Sequence, residues 1–231
     1  MEPLLDEQAL ADSSVVANCC MNRERGCEGG NSYAQELGFS PLTFLRQRLE
    51  DHPSVHWLDL CCGTGKALIE AAITCEAQSK ADCVQITGVD LVSYFHPSAA
   101  SHPFLSLQIA NLAHWQAPDK YDLITCVHGL HYVGDKLGLI ERAAAWLKSD
   151  GLLIAHLDAA NLCWADGSSA GKAILRRLRT LGFEYATRKH LLSLRGGRTV
   201  QSGLRFVGAN DAAGANYTRQ AAVNSHYEMP L

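Results

Sequence analysis

The chain of 231 residues is short of several things, and each shortage excludes something. It has no apolar run approaching the ~18 residues of a membrane-crossing helix. It starts MEPLLDEQAL, acidic where a secretory leader is basic and then apolar, so neither a leader nor a membrane partner is expected. Basic residues do not predominate: 20 Lys and Arg stand against 24 Asp and Glu. With a net charge of −4 there is no phosphate-tracking stripe, and nucleic acid is not an expected partner. The densest basic run, Arg176, Arg177 and Arg179, reads as the solvated face of an amphipathic helix. Nine cysteines include no C-x-x-C pair and no histidine at zinc-ligand spacing, so neither a metal nor a disulfide framework is expected. Reduced, buried thiols in a cytoplasmic protein are the reading. Internal repeats and low-complexity tracts are absent too.

What is present is an ordinary core-forming balance, 47% hydrophobic and 19% charged residues, enough for one large α/β domain. The first fifty residues read as short helices: one from Glu7 to Cys20, a glycine-rich loop from Gly26 to Gly30, and one capped by Ser40 with Pro41 in its first turn, running to about Glu50. From Val55 strands and helices alternate. Strands are expected at Val55–Leu60, Val84–Val92, Phe104–Ala110, Asp122–Val127 and Gly151–Leu157, and helices at Lys66–Glu76, Asp135–Lys148 and about Ser168–Leu181. Two further strand-like runs, Phe183–Leu194 and Thr199–Val207, are divided by Arg195-Gly196-Gly197-Arg198, a hairpin signal. The pattern predicts an α/β fold with a doubly wound seven-stranded sheet whose last strand is antiparallel. Residues 1–52 would form an N-terminal helical cap, 53–209 the cofactor-binding domain and 210–231 a C-terminal tail.

The chemistry concentrates where the first strand hands over to a helix, at Leu58-Asp59-Leu60-Cys61-Cys62-Gly63-Thr64-Gly65-Lys66. Gly63 and Gly65 permit backbone to approach a ligand closely, and the helix start presents free N–H groups. Taken alone, that is also the tight turn of any α/β protein. Asp59, at the strand's end, is placed to bind an ammonium group. Asp90 ends the second strand 25 positions after Gly65, where a carboxylate accepts from ribose hydroxyls. Ile109-Ala110-Asn111-Leu112 ends the third strand on an amide suited to an adenine edge.

Over about Val55 to Val207 the sequence resembles the class I S-adenosylmethionine-dependent methyltransferases. The strand-four segment Tyr121 to Val133 and the turn Leu147-Lys148-Ser149-Asp150-Gly151-Leu152-Leu153-Ile154 carry the likeness further. The resemblance implies a Rossmann-like methyltransferase fold and S-adenosyl-L-methionine as cofactor. It implies that Asp59, Cys61, Gly63, Thr64 and Gly65 form the cofactor loop. Asp90 with Leu91 would hold the ribose, Asn111 with Leu112 would flank the adenine, and Val127 would lie beside the cofactor. Two positions depart from the family: Cys61 stands where glycine is usual, and Asn111 where aspartate is. The Asn/Asp-Pro-Pro-aromatic motif of nucleic-acid amine methylases is absent after strand four, where Val127-His128-Gly129-Leu130 stands.

Methyl transfer from a sulfonium is an in-line displacement that needs alignment and exclusion of water, and a base only where the acceptor must lose a proton. His128 and His131, just after strand four, are the candidate bases; His131 also fits a turn common to the family. Asp158 and His156 end strand five, the latter also readable as a core imidazole. Arg25 is a candidate for the methionine carboxylate and Tyr33 for the cavity wall, both on a segment equally readable as an exposed loop. The tail, with Asn216, Tyr217 and Tyr227, is disordered or folds back toward the site. The expected function is O- or N-methylation of a small molecule, a secondary metabolite, with a homodimer left open. Two other readings stand beside it: an NAD(P)-linked Rossmann oxidoreductase, and a methyltransferase-fold protein that binds the cofactor without transferring methyl.

Overall fold

The computed structural model describes residues 4–16 and 24–230 of the chain. Its central strands are β1 (Val55–Leu60), β2 (Val84–Asp90), β3 (Leu105–Ile109), β4 (Tyr121–Cys126) and β5 (Leu147–His156). Along β1 successive side chains alternate between two cores. Val55 and Trp57 pack with Leu45 of α3 (Pro41–Asp51) and with Ala67, Leu68 and Ala71 of α4 (Lys66–Ala77). Leu58 and Leu60 pack with Leu137 and Ile140 of α5 (Lys136–Trp146) and with Ile174, Leu175 and Leu178 of α6 (Gly171–Thr180). Both faces are therefore apolar, which is why these strands read as continuous hydrophobic runs. Each fully buried Leu or Ile contributes about 1.5–3 kcal/mol. On α6 the opposite face carries Arg176 and Arg179 in solvent, as the charge pattern predicts.

The sheet has seven strands in the order β3-β2-β1-β4-β5-β8-β7, with β7 at Glu184–Ala186 and β8 at Leu191–Arg195. Pairs from β3 through β5 are parallel; β8 runs antiparallel to both β5 and β7. The strand order reverses between β1 and β4, and a crevice opens there at the carboxyl ends of the strands. At the opposite end Asp122, fully buried, accepts from Arg48 Nη2 (3.0 Å), Lys148 Nζ (2.7 Å) and the His56 backbone N–H (2.8 Å).

The seven-stranded sheet with its antiparallel last strand is as the sequence predicts, but the hairpin is not at Gly196-Gly197. It lies inside the single run Phe183–Leu194, turning at residues 187–190, with His190 at φ +53°. The glycine pair serves close packing instead: a Cβ on Gly197 would lie 2.0 Å from the Leu147 carbonyl oxygen. The expected strand Thr199–Val207 begins only at Arg205. As β9 (Arg205–Asn210) it leaves the main sheet and pairs with β10 (Asn224–Glu228), which pairs with β6 (Leu162–Trp164). This second, three-stranded sheet was not legible in the pattern. β5 also begins four residues early, directly from α5, through a register shift opposite Tyr121/Leu123.

The N-terminal segment is helical in short pieces. α1 (Glu7–Ala11) ends well before Cys20, and the remainder of that expected helix enters residues 17–23, outside the described ones. α2 (Tyr33–Leu37) is capped by the Ser32 hydroxyl and closed by Gly38 at φ +78°. α3 follows from Ser40 and Pro41 as predicted. No helix among the described residues is long and apolar enough to cross a membrane.

Candidate functional site

The loop after β1 turns on left-handed residues: Cys61 at φ +59°, Gly63 at +61° and Gly65 at +78°. Gly65 also has no room for a side chain, since a Cβ would strike Leu107 Cδ1 at 2.5 Å. A non-glycine residue in that conformation costs about 1–2 kcal/mol. Cys61 bears it against a glycine from the other side: a Cβ on Gly129 would come within 2.3 Å of Cys61 Cβ. The space that a glycine at 61 would leave is thus supplied at 129. A hydrogen bond with Cys126, together with burial, pushes the Cys61 thiol well above its ordinary range, so it is not a nucleophile. The described cysteines are all free.

Asp90, at the end of β2, accepts from Gly63 N–H through Oδ2 (2.8 Å) and from Val92 N–H through Oδ1 (3.2 Å). It therefore fixes the glycine loop while facing the crevice. The crevice consists of two hollows, of about 640 and 600 Å³ of empty space, both lined by Val16, Cys61, Asp90 and Tyr132. Arg25, Tyr33, Gly63, Val127 and His128 line the first. Leu91, Asn111 and Leu112 line the second. Asn111 Oδ1 accepts from the Ala113 N–H (2.9 Å), which fixes its amide at the second hollow.

Six of the candidate site residues singled out from the sequence do not line the hollows: Asp59, Thr64, Gly65, His131, His156 and Asp158. Thr64 and Gly65 shape the loop through their backbone, Thr64 accepting from His96 N–H at 3.0 Å. Asp59 is fully buried and takes the Tyr33 hydroxyl (2.7 Å) on one oxygen and the Thr125 hydroxyl (2.5 Å) on the other. Trp57 Nε1 donates in turn to Thr125 Oγ1 at 2.9 Å. This chain ties α2 to the sheet, and burial pushes the Asp59 carboxyl up to about 7. The glycine-rich segment before α2 is held too, since Cys27 N–H donates to Glu70 Oε2 at 2.7 Å.

At the carboxyl ends of β4 and β5 the chain collects imidazoles. His128, at φ +60°, stacks on His156 with ring centroids 4.0 Å apart and 12° between planes. Glu36 of α2 reaches both: its Oε2 lies 3.0 Å from His128 Nε2 and 3.7 Å from His156 Nε2. Its Oε1 takes Arg25 Nε at 3.0 Å. Contact with His128, and the charge of Arg25, hold the Glu36 carboxyl down at about 2. Burial drives His156 down to about 3 and His131 to about 2, so both rings are neutral. His131 is fully buried, and neither of its ring nitrogens has a partner among the described residues. Tyr217, from the segment after β9, sets its hydroxyl 3.3 Å from His128 Nδ1 and stacks on His190 at 3.9 Å. Asp158 holds that segment by accepting from the Tyr217 N–H at 3.2 Å.

Sequence reasoning passed over Glu36, and named Tyr217 only as part of a tail that is disordered or folds back toward the site. Glu36 carried a signal, lying three residues after Tyr33 and hence on the same helix face. Tyr217 carried none beyond its place in an aromatic tail.

A family model described as a methyltransferase domain matches residues 31–216, from the start of α2 to the turn before Tyr217. No curated protein matches the chain. Among solved structures, the DszA carbon methyltransferase is 15% identical over 70% of this chain and 53% of its own, with a TM-score of 0.51. YjhP from E. coli is 20% identical over 63% and 64%, TM-score 0.43. The [4+2]-cyclase SpnF is 17% identical over 80% and 75%, TM-score 0.49. The chain thus spans about half the solved length of DszA and under two thirds of that of YjhP. The likeness to DszA is one of fold, and the family match leaves the nicotinamide-linked reading without support. With its seven-stranded mixed sheet and a domain match over most of its length, the chain belongs to the class I S-adenosylmethionine-dependent methyltransferases.

Proposed function

We propose that the chain methylates an oxygen or nitrogen of a small molecule held between the N-terminal cap and the ends of β4 and β5. Residues 1–52 act as the cap, 53–209 as the cofactor-binding body, and 210–231 close the acceptor side. Asp90 holds the ribose, Asn111 and Leu112 flank the adenine, and Gly63 brings backbone close to the ligand. Arg25 and Tyr33 wall the methionine end. The glycine loop fits such a ligand, since Gly63, at φ +61° and without a side chain, lines the hollow that Asp90 faces. Bound there, S-adenosylmethionine supplies an electrophilic methyl group.

The observation that carries the acceptor reading is Glu36 Oε2 lying 3.0 Å from His128 Nε2, at the same hollow as the glycine loop. Tyr217 Oη, 3.3 Å from His128 Nδ1, stands where a hydroxyl acceptor would present its proton. The acceptor–methyl bond forms as the sulfur–methyl bond breaks, the electron pair stays on sulfur, and the acceptor's proton leaves toward the imidazole cluster. A positioned base of this kind contributes roughly 10²–10⁴ in rate. His131, sealed from the hollow, is not placed to take that proton.

The test is incubation of the protein with a metabolite extract and cofactor carrying an isotope-labelled methyl group, read by mass spectrometry. A labelled product that is lost in His128→Ala is the expected result. Tight cofactor binding with no labelled product from any extract would instead favour the non-transferring reading.

A further inference from the structure

Three donor atoms from three separate elements converge beside the groove. Glu36 comes from α2, His128 from the turn after β4, and His156 from the end of β5; one ligand atom of each lies within 4.8 Å of the other two. We propose that Glu36, His128 and His156 hold a divalent transition-metal ion, whose open positions face the groove and take an oxygen of the acceptor. This rests on the methyl-transfer reading above and narrows its substrate class to oxygen acceptors, best a hydroxyl with a second oxygen beside it.

The geometry is that of ligands around a missing centre. Around an ion bound at 2.0–2.2 Å, neighbouring donor atoms sit roughly 3–3.5 Å apart. Glu36 Oε2 is 3.0 Å from His128 Nε2 and 3.7 Å from His156 Nε2. His128 Nε2 is buried and makes no well-aligned hydrogen bond, although Glu36 Oε2 lies 3.0 Å away. Two imidazole nitrogens and one carboxylate oxygen are the donor set of catalytic zinc sites and of three-ligand iron(II) sites, both of which keep positions open.

The surroundings support the ligands. Arg25 Nε meets Glu36 Oε1, while Oε2 lies toward the rings. Tyr217 Oη meets Nδ1 of His128, the ring nitrogen away from the ion, where an orienting partner belongs. The stacking of His128 on His156 fixes both rings. Of the three ligands His128 also lines the hollow that holds the glycine loop, so an ion there reaches the acceptor. With an ion bound, His128 is a ligand in place of a base: the ion would lower the cost of ionising a bound hydroxyl, whose proton leaves to solvent instead of to the imidazole cluster, and the displacement of methyl from sulfur is unchanged.

The test uses the full chain, dialysed against chelator and then titrated with zinc chloride, followed by calorimetry and elemental analysis. Cobalt(II) chloride is the spectroscopic probe, since its visible absorption reports nitrogen and oxygen coordination. One ion per chain is expected, with affinity falling at least 100-fold in Glu36→Gln and in His156→Gln. Glu36 is partly exposed, so Glu36→Gln keeps the test sound if the His156 variant folds poorly, which melting curves show. Absence of stoichiometric binding, or equal binding in wild type and Glu36→Gln, would overturn the proposal. None of these readings uses a methyl acceptor, so a failure to find methyl transfer bears on the function alone.

Discussion

Asp90 does two things with one carboxylate. It faces the groove, and it accepts the Gly63 and Val92 N–H groups. An alanine there would release the glycine loop as well as the ribose, and the two losses could not be told apart. Asp90→Asn keeps an acceptor for the Gly63 N–H and removes the charge, though it sets an amide nitrogen against the Val92 N–H. A hydrogen bond to a charged group is worth about 1.5–3 kcal/mol, so affinity for S-adenosylhomocysteine should fall roughly 10–100-fold, with a smaller drop in melting temperature than Asp90→Ala shows. Calorimetry and a thermal melt on the same sample decide it, and an unchanged affinity removes Asp90 from the ribose. Cys61 shows how a departure from the family pattern is absorbed at residue scale. Nothing in the sequence near position 61 announces the accommodation, because the yielding partner is Gly129, far along the chain.

Among the elements, β4 is the pivot. Its first residues carry Asp122, joined to α3 through Arg48 and to β5 through Lys148, and its end delivers His128. Arg48 and Lys148 are partly exposed and Arg48 keeps Asp150, so Asp122→Ala should lower stability by about 1–3 kcal/mol, the cost of leaving the partners of one buried carboxylate unpaired. Because Asp122 lies at the amino end of β4, the fraction that remains folded should bind cofactor as before. Urea melts and calorimetry check the two halves of this expectation separately. Elements with a dense local code were legible: β1, α3 and α4 follow from alternation, a Ser-Pro cap and a glycine turn. The hairpin went astray because Gly196-Gly197 looks like a turn, whereas its smallness is used to let Leu147 pass. The true turn at 187–190 has no glycine and relies on His190 in a left-handed conformation. β9 and β10 were missed as a pair because strand pairing across residues 211–223 leaves no trace in local periodicity.

For the whole molecule, the buried imidazoles set the response to acid. His131 sits at about 2 when folded and near 6.5 when unfolded, because burial penalises its charge. Below pH 6.5 the unfolded chain therefore takes up a proton that the folded chain refuses, and stability falls as pH falls. Between pH 7.5 and 5.5 this one ring should cost about 1.4 kcal/mol. His131→Leu should lose that much less across the same interval, as urea melts at the two pH values would show. An equal loss in both proteins would mean that the ring titrates freely in the fold. The site as a whole was half legible. The glycine loop, Asp90 and His128 are marked by local motifs, whereas Glu36, His156 and Tyr217 meet only through the tertiary fold, from positions spread over most of the chain.

The pairing of β9 with β10 carries a consequence for synthesis. A chain emerging from the ribosome completes the parallel strands and the glycine loop long before residues 217–228 appear. Leu5 is bridged to Ala209 and Ser13 to Asp211, so residues 5–13 wait for residues 209–211 before they are fastened. Tyr217 reaches His128 only after that closure. A nascent chain can thus present a formed cofactor loop while its acceptor wall is still unbuilt, and competence waits for residues 217–228 to follow.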